Sequence, residues 1–221
     1  MNAKAVAFFS GFPEKQFTES IADELKMILN ERKCLVFISA WPDRYVQNDD
    51  DAFGMNNMFT EKDMAFEQYC VIDERTDPAS SKMEIEKASC IFLMGGNATA
   101  QMKLIKDKGI FELLKRSKAV ILGVSAGSMN MGNPVADIYE SVVPYEGLGF
   151  ANLTIKSHFP LTDENLQNMT RKVSMEVPVT LMKDESAIFM YNGVIKQIGE
   201  IYRMEKGEIK PILKDDLKKI M

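Results

Sequence analysis

The segment GVSAGS, residues 123–128, places a serine between two glycines directly after an apolar run. That run, AVILGV, predicts a buried strand, and the following SMNM predicts a short helix. A serine in such a strand-to-helix turn can act as a nucleophile. The flanking glycines leave room for neighbouring backbone, and the amide of Ala126 points to where an oxyanion would form. A turn of small residues can also simply join a strand to a helix, so the motif needs partners.

A serine nucleophile needs a general base, and the chain contains one histidine, His158. This residue lies in the segment IKSHFP, after an apolar strand-like run and before Phe159 and Pro160. It therefore also stands at the end of a predicted element. If Ser125 works through a histidine, that histidine is His158. No lysine has a placement that singles it out as an alternative base.

A catalytic histidine needs a carboxylate that fixes its tautomer, and three acidic residues are candidates. Glu185, in LMKDESAIF, lies between two apolar runs, at a possible strand edge. Asp137 and Glu140, in VADIYES, lie between the serine and the histidine. In α/β-hydrolases the acid precedes a histidine close to the C-terminus. Here the chain continues well beyond His158, which leaves room for the order serine, histidine, glutamate.

A second glycine motif, Gly95-Gly96-Asn97, also follows an apolar run and precedes a predicted helix. Such a turn can cradle a phosphate at a helix N-terminus. However, the segment lacks both the G-x-G-x-x-G fingerprint and the GK[ST] of a P-loop. If the strands before Gly96 and Ser125 are neighbours, the Gly96 amide would complete an oxyanion hole with that of Ala126. We therefore expect no cofactor.

Predicted strands alternate with predicted helices over the first 125 residues. The strands are residues 5–11, 34–40, 70–74, 90–96 and 119–125, and the helices are 17–33, 60–69, 80–89 and 99–117, the last broken at Gly109. The acidic residues 49–51 are interpreted as a solvated loop or as a flap near a site. Because the strands are apolar on both faces, the pattern predicts a doubly wound α/β fold, a mostly parallel sheet sandwiched by helices.

The C-terminal third has a different pattern, with short apolar runs and one helical segment around residues 165–175. Asn192 and Gly193 between apolar runs give the strongest hairpin signal. We therefore predict antiparallel strands at the edge or end of the sheet. No linker or internal repeat divides the chain, which predicts a single domain over residues 1–221.

The composition limits the classes of partner that we expect the protein to bind. The 221 residues carry a net charge of −5, and no basic cluster suggests nucleic acid as a partner. No run approaches the roughly 18 apolar residues that a membrane span needs, and the N-terminal segment lacks the features of a signal peptide. Cys34, Cys70 and Cys90 each begin an apolar run with no metal-binding spacing, so we expect buried free thiols, no metal and a cytoplasmic protein.

Taken together, the motifs resemble a family of serine peptidases typified by dipeptidase E (aspartyl dipeptidase) and cyanophycinase. The resemblance rests on GGN after one strand, SAGS after the next, a later His-Phe and an Asp-Glu pair before an apolar run, and it spans about residues 35 to 190. It implies a class I glutamine amidotransferase-like α/β sandwich with serine in place of cysteine. By position it implies Ser125 as nucleophile, His158 as base, and Gly96 and Ala126 as oxyanion amides.

The resemblance also has implications for the acid of the triad and for the substrate. It implies Glu185 as the triad acid, with Asp137 as the alternative. Arg171 resembles the arginine with which aspartyl dipeptidases hold the carboxylate of an N-terminal aspartate, although a solvated helix arginine would look the same. Asn97, beside the expected oxyanion amide, is a further candidate substrate-binding residue.

The sequence therefore predicts a serine hydrolase that cleaves a dipeptide or short peptide, with N-terminal aspartate as one possible preference. Ser125 would form an acyl-enzyme that water then releases. An esterase or amidase with the same residues is one alternative. A non-catalytic binding module on the same fold is the other.

Overall fold

The computed structural model describes residues 5–136, 138, 144–212 and 216–217. Within these ranges the chain forms two sheets and seven helices. The strands are β1 (Val6–Phe9), β2 (Cys34–Ala40), β3 (Gln68–Ile72), β4 (Cys90–Gly96), β5 (Val120–Val124), β6 (Thr154–Lys156), β7 (Val179–Met182), β8 (Ala187–Tyr191), β9 (Val194–Ile198), β10 (Ile201–Glu205) and β11 (Glu208–Pro211). The helices are α1 (Glu19–Ile28), α2 (Tyr45–Thr60), α3 (Pro78–Lys87), α4 (Ala98–Asp107), α5 (Phe111–Arg116), α6 (Ala126–Met131) and α7 (Glu164–Ser174).

The larger sheet has the strand order β3-β2-β4-β5-β1-β8-β9. Its first five strands are parallel, and β8 and β9 add antiparallel strands at one edge. Helices α1 and α2 pack on one face through a core rich in phenylalanine, and α3 to α6 pack on the other. The predicted α/β sandwich with a mostly parallel sheet is confirmed. Its parallel strands are buried on both faces, which explains their continuous apolar runs.

The C-terminal strands separate into two groups. Strands β8 and β9 form a hairpin in which Asn192 and Gly193 have φ angles of 50° and 75°, so the Asn-Gly prediction is confirmed. Strands β6, β7, β10 and β11 instead form a second, four-stranded sheet in the order β11-β10-β7-β6. Helix α7 covers this sheet through a small apolar cluster that includes Leu166, Val173 and Leu181. The sequence did not indicate that these strands would leave the main sheet.

Two local predictions were wrong. Residues 49–51 lie inside helix α2, not in a loop. Residues 60–69 are not a helix, because α2 ends at Thr60 and the chain turns through Asp63 at a φ of 60°. This turn brings Met64 into the core, where its amide donates to the carbonyl of Phe59. Helix α2 was missed because few of its residues are buried, so its apolar periodicity is weak.

Candidate active site

Ser125 lies between the end of β5 and the start of α6, with φ 53° and ψ −114°. A positive φ is unfavourable for a residue with a Cβ atom and persists only when the surroundings hold it. The surroundings here are close-packed. A Cβ atom at Gly123 would lie 2.5 Å from the sulfur of Met131, and one at Gly127 would lie 2.1 Å from the carbonyl oxygen of Leu93. Only glycine therefore fits at either side of this serine.

Two hydrogen bonds fix the turn to the neighbouring strand β1. The Ser125 amide donates to the carbonyl of Phe9 at 3.0 Å. The buried hydroxyl of Ser128 accepts from the Phe9 amide at 2.9 Å and lies 2.6 Å from the carbonyl oxygen of Gly123, to which it can donate. The second serine of the motif is therefore a structural residue that joins β1 to β5.

The second glycine motif lies beside Ser125, since β4 and β5 are parallel neighbours with Leu93 opposite Gly123. A Cβ atom at Gly95 would lie 3.4 Å from that of Ser125. Gly96 has a φ of 137°, and a Cβ there would lie 2.5 Å from Nε1 of Trp41. The two turns thus meet at one sheet edge, as the oxyanion-hole hypothesis requires. Asn97 caps helix α4, where its side chain accepts from the Ala100 amide at 2.7 Å.

His158 follows β6 and also has a positive φ, 52°. Its Nδ1 lies 2.6 Å from Oδ1 of Asp184, and both side chains are roughly half-exposed. The sequence had instead indicated Glu185 as the partner of this histidine. Glu185 has a φ of 61°, and its amide donates to the carbonyl of Gly11. The chain therefore turns at Glu185, and it is the side chain of Asp184 that reaches the imidazole. The carboxylate that contacts His158 is therefore that of Asp184.

Gly11 is the glycine that lets this pair form. A Cβ atom at Gly11 would lie 2.3 Å from Cε1 of His158 and 2.5 Å from Oδ1 of Asp184. Neither Gly11 nor Asp184 was singled out from the sequence. The available signals were a glycine at the end of the predicted strand 5–11 and the carboxylate next to Glu185.

Ser125 and His158 line the same open cleft, which has a volume of about 460 Å³. One face of helix α2 forms part of the wall of this cleft. Residues at helical spacing on this face are Gln47, Asp50, Asp51, Gly54, Met55 and Met58. The lining residues of α2 are acidic in the N-terminal half of the helix and apolar in its C-terminal half. Lys15 adds one positive charge to the lining, which also includes Phe12, Trp41 and Met94.

Two candidate residues lie elsewhere. Arg171 is on α7 and does not line the cleft. Its guanidinium donates to the carbonyl of Gly207 at 3.3 Å and to the side chain of Asn168 at 3.0 Å. The structure therefore does not bring this arginine to Ser125. Asp137, the alternative acid, and Glu140 lie outside the described residues.

The three cysteines are free thiols, and Cys34 and Cys90 are buried as predicted, whereas Cys70 is only half-buried. Burial and the nearby Glu84 carboxylate raise the pKa of Cys70 to about 12, so its reactive thiolate form is suppressed. Among the described residues, no cluster of histidine, cysteine and carboxylate side chains could hold a metal ion. In the same part of the chain, no helix combines the length and hydropathy that a membrane span requires.

The fold and the cleft define a class of α/β protein with a serine at the carboxyl edge of a parallel sheet. Residues 6–198 match the model of Peptidase family S51. The chain therefore belongs to this family, the dipeptidase E family, and is a serine-type peptidase. The expected resemblance is confirmed.

Solved structures share the fold at low sequence identity. A peptidase from an acI-B1 Actinobacterium is 12% identical with a TM-score of 0.68, and the match covers 96% of this chain and 94% of that one. A putative peptidase E protein from Listeria monocytogenes EGD-e is 14% identical with a TM-score of 0.65, covering 88% and 98% of the two chains. No curated protein sequence matches significantly.

Proposed function

We propose that this peptidase hydrolyses dipeptides or short peptides through an acyl-enzyme on Ser125, with His158 as the general base and Asp184 as the orienting carboxylate. The observation that carries the proposal is the 2.6 Å contact between His158 Nδ1 and Asp184 Oδ1, on a cleft that Ser125 also lines. A carboxylate at Nδ1 leaves Nε2 as the ring nitrogen that can accept a proton from the serine.

The reaction then proceeds in two steps. His158 takes the hydroxyl proton as Ser125 Oγ bonds to the substrate carbonyl carbon, and the carbonyl oxygen becomes an oxyanion. The amides of Gly96 and Ala126, at the ends of neighbouring strands, would stabilise that charge. The peptide C–N bond breaks as His158 returns the proton to the leaving amine. Water, deprotonated by the same histidine, releases the acyl group and regenerates the serine.

The cleft suits a small substrate. Its volume of about 460 Å³ lies in the usual range for small-ligand sites. An N-terminal aspartate would require a cation near the acyl side chain, and Arg171 is not available for that role. The described lining carries one cation, Lys15, and two carboxylates, those of Asp50 and Asp51, so its fixed charge is negative. We therefore propose that neutral N-terminal residues are preferred over aspartate.

A dipeptide panel tests this function. We would compare Ala-Leu, Asn-Leu, Glu-Leu and Asp-Leu with the wild type and with Ser125→Ala, and measure the released leucine. We expect Ala-Leu and Asn-Leu to be cleaved fastest, and Ser125→Ala to be inactive but folded. Turnover by Ser125→Ala would refute the nucleophile. Preferential cleavage of Asp-Leu would refute the substrate preference and leave the nucleophile in place.

A further inference from the structure

The hydroxyl of Ser10, the residue after β1, connects the two elements that carry His158 and Asp184. Ser10 is fully buried. Its Oγ accepts from the His158 amide at 2.8 Å and donates to the carbonyl of Met182 at 2.9 Å. Met182 ends β7, two residues before Asp184. One hydroxyl therefore joins the backbone of the histidine to the strand that leads to its carboxylate partner.

The backbone of His158 needs such support. Its φ of 52° is sparsely populated by residues other than glycine, so neighbouring contacts must hold it. The backbone amides of His158 and Phe159 each donate a hydrogen bond at this point of the chain. One is the bond from the His158 amide to Ser10, and the other runs from the Phe159 amide to the carbonyl of Met182 at 3.0 Å. The bond to Ser10 is the one of these two that the backbone amide of His158 makes.

The turn that carries Asp184 is fixed to the same segment. The Ser10 amide donates to the carbonyl of Ser186 at 3.1 Å, and the Glu185 amide donates to the carbonyl of Gly11 at 3.0 Å. With the contact to Met182, the chain is therefore held on both sides of Asp184. Removal of the Ser10 hydroxyl would loosen the histidine and the start of this turn together.

We infer that Ser10 is a positioning residue whose hydroxyl orients the His158 imidazole between Asp184 and Ser125. Because Ser10 is fully buried, it acts through His158 and not on the substrate. The inference rests on the proposed function, since it assumes that His158 is the base. It adds a residue whose role is geometric and whose loss should affect turnover more than binding.

The experiment combines kinetics with an NMR signal of the imidazole. The chain has a single histidine, so a ¹⁵N-histidine-labelled sample gives one ring system without assignment. In the wild type we expect a downfield Nδ1–H proton, hydrogen-bonded to Asp184. Ser10→Ala should weaken or abolish this signal and lower kcat on Ala-Leu by about tenfold to a hundredfold, since small misplacements of catalytic groups have effects of this size. KM should stay within about twofold.

Ser81→Ala is the matched control. Ser81 is also fully buried, and its hydroxyl donates to the carbonyl of Asp77 at 2.9 Å, in helix α3 and away from the cleft. This variant also loses a buried hydroxyl, with one hydrogen bond where Ser10→Ala loses two, and it does so away from the cleft. We therefore expect unchanged kcat and an unchanged imidazole signal. An equal effect of both serine variants on kcat would mean that Ser10 contributes only to general stability, and would overturn the inference.

Ser10→Cys covers the case in which Ser10→Ala does not fold. Its side chain has nearly the same shape but is a weaker acceptor, so we expect an intermediate loss of kcat and of the ring signal. Wild-type kcat in the folded Ser10 variants, or a reduced kcat with an intact Nδ1–H signal, would overturn the positioning role. Full activity of Ser125→Ala would instead refute the proposed function, so the two failures are distinguishable.

Discussion

Asp184 and Glu185 are adjacent carboxylates, and only the first contacts the imidazole of His158. The difference comes from the backbone, because the positive φ of Glu185 and its hydrogen bond to Gly11 turn the chain at this point. A carboxylate at Nδ1 fixes the histidine tautomer and stabilises the imidazolium that forms when serine loses its proton. The two residues thus provide a matched test, since they share sequence context and exposure but differ in contact.

We expect Asp184→Asn to lower kcat by a factor on the order of 10³ to 10⁴, since this is the effect of removing the orienting charge in a serine triad. Glu185→Gln should retain most of the wild-type kcat. The measurement is steady-state hydrolysis of Ala-Leu, with circular dichroism spectra as a check that both variants are folded. A larger loss in Glu185→Gln than in Asp184→Asn would reverse the assignment of the acid.

Glu185 shows why the sequence indicated the neighbour of the carboxylate that contacts His158. Residue type and chain order left Glu185, Asp137 and Glu140 as candidates, and the family resemblance favoured Glu185. The contact to His158 comes from the residue just before Glu185. The choice between two adjacent carboxylates depends on φ at one residue and on the approach of Gly11 from a distant part of the chain. Nothing in the sequence around Asp184 and Glu185 indicates that Gly11 approaches them.

At the scale of elements, helix α2 supplies the acidic side chains of the cleft that Ser125 also lines. Its orientation is fixed by the buried side chain of Asn48, which accepts from the Ser39 hydroxyl at 2.8 Å and donates to the carbonyl of Trp41 and to Asp73. These bonds attach the helix to the ends of β2 and β3. Asp50 is consequently on the side that lines the cleft.

The double variant Asp50→Asn/Asp51→Asn tests the electrostatic role of this helix. We expect kcat/KM for Asp-Leu to rise about three- to tenfold relative to Ala-Leu, because two negative charges no longer repel the substrate carboxylate. High salt should reduce the difference in the wild type. Asp49→Asn is the control, since Asp49 lies on the same helix but pairs with Arg75 outside the cleft wall. An unchanged ratio in the double variant would show that α2 does not set the preference.

Helices and strands could be predicted from the sequence where their buried side chains recur at regular spacing, and not where few side chains are buried. Strands β2 and β4 were predicted with their observed bounds, and the break between α4 and α5 falls at Gly109, which has a φ of 64°. Helix α2 buries only Asn48, Ala52, Met58 and Phe59, so its sequence resembles a polar loop. The wall of the cleft was therefore the part of the site that sequence periodicity could least reveal.

At the scale of the whole molecule, Glu24 connects the helical layer to the antiparallel edge of the main sheet. This α1 carboxylate is nearly buried, pairs with Lys196 on β9, and accepts from the Tyr191 hydroxyl on β8 at 2.7 Å. Burial raises the pKa of Glu24, but the hydrogen bonds from Lys196 and Tyr191 and the charge of Lys196 outweigh it, so its net pKa is lowered. The ionised form therefore favours the folded state.

We expect Glu24→Gln to lower the free energy of unfolding at pH 7 by about 1–2 kcal/mol, because the negative charge that strengthens the hydrogen bonds from Lys196 and Tyr191 is lost. A carboxyl with a lowered folded-state pKa stabilises the fold above its unfolded-state pKa of about 4.3, and this contribution is lost as the pH falls through the folded value. The difference between wild type and variant in urea unfolding should therefore shrink below pH 4. A difference that grows with acidity would contradict this role.

A solvent-exposed ion pair provides the control for the Glu24 prediction. Glu31 and Lys33 form a solvent-exposed pair, and such pairs contribute little to stability. Glu31→Gln should therefore leave urea unfolding nearly unchanged at pH 7. A loss equal to that of Glu24→Gln would mean that total charge, and not the buried contact, is responsible.

The contacts of Phe9 and Ser10 have a consequence for biosynthesis. Phe9 bonds to Ser128, 119 residues away, and Ser10 to His158, 148 residues away, while Asp184 comes later still. A ribosome makes the first strand early, but its partners in the site emerge only when most of the chain has been synthesised. Contacts so distant in sequence also form slowly. A nascent or truncated chain that ends before Asp184 would thus lack the contact between Asp184 and His158, so we expect the proposed triad to assemble only when synthesis is almost complete.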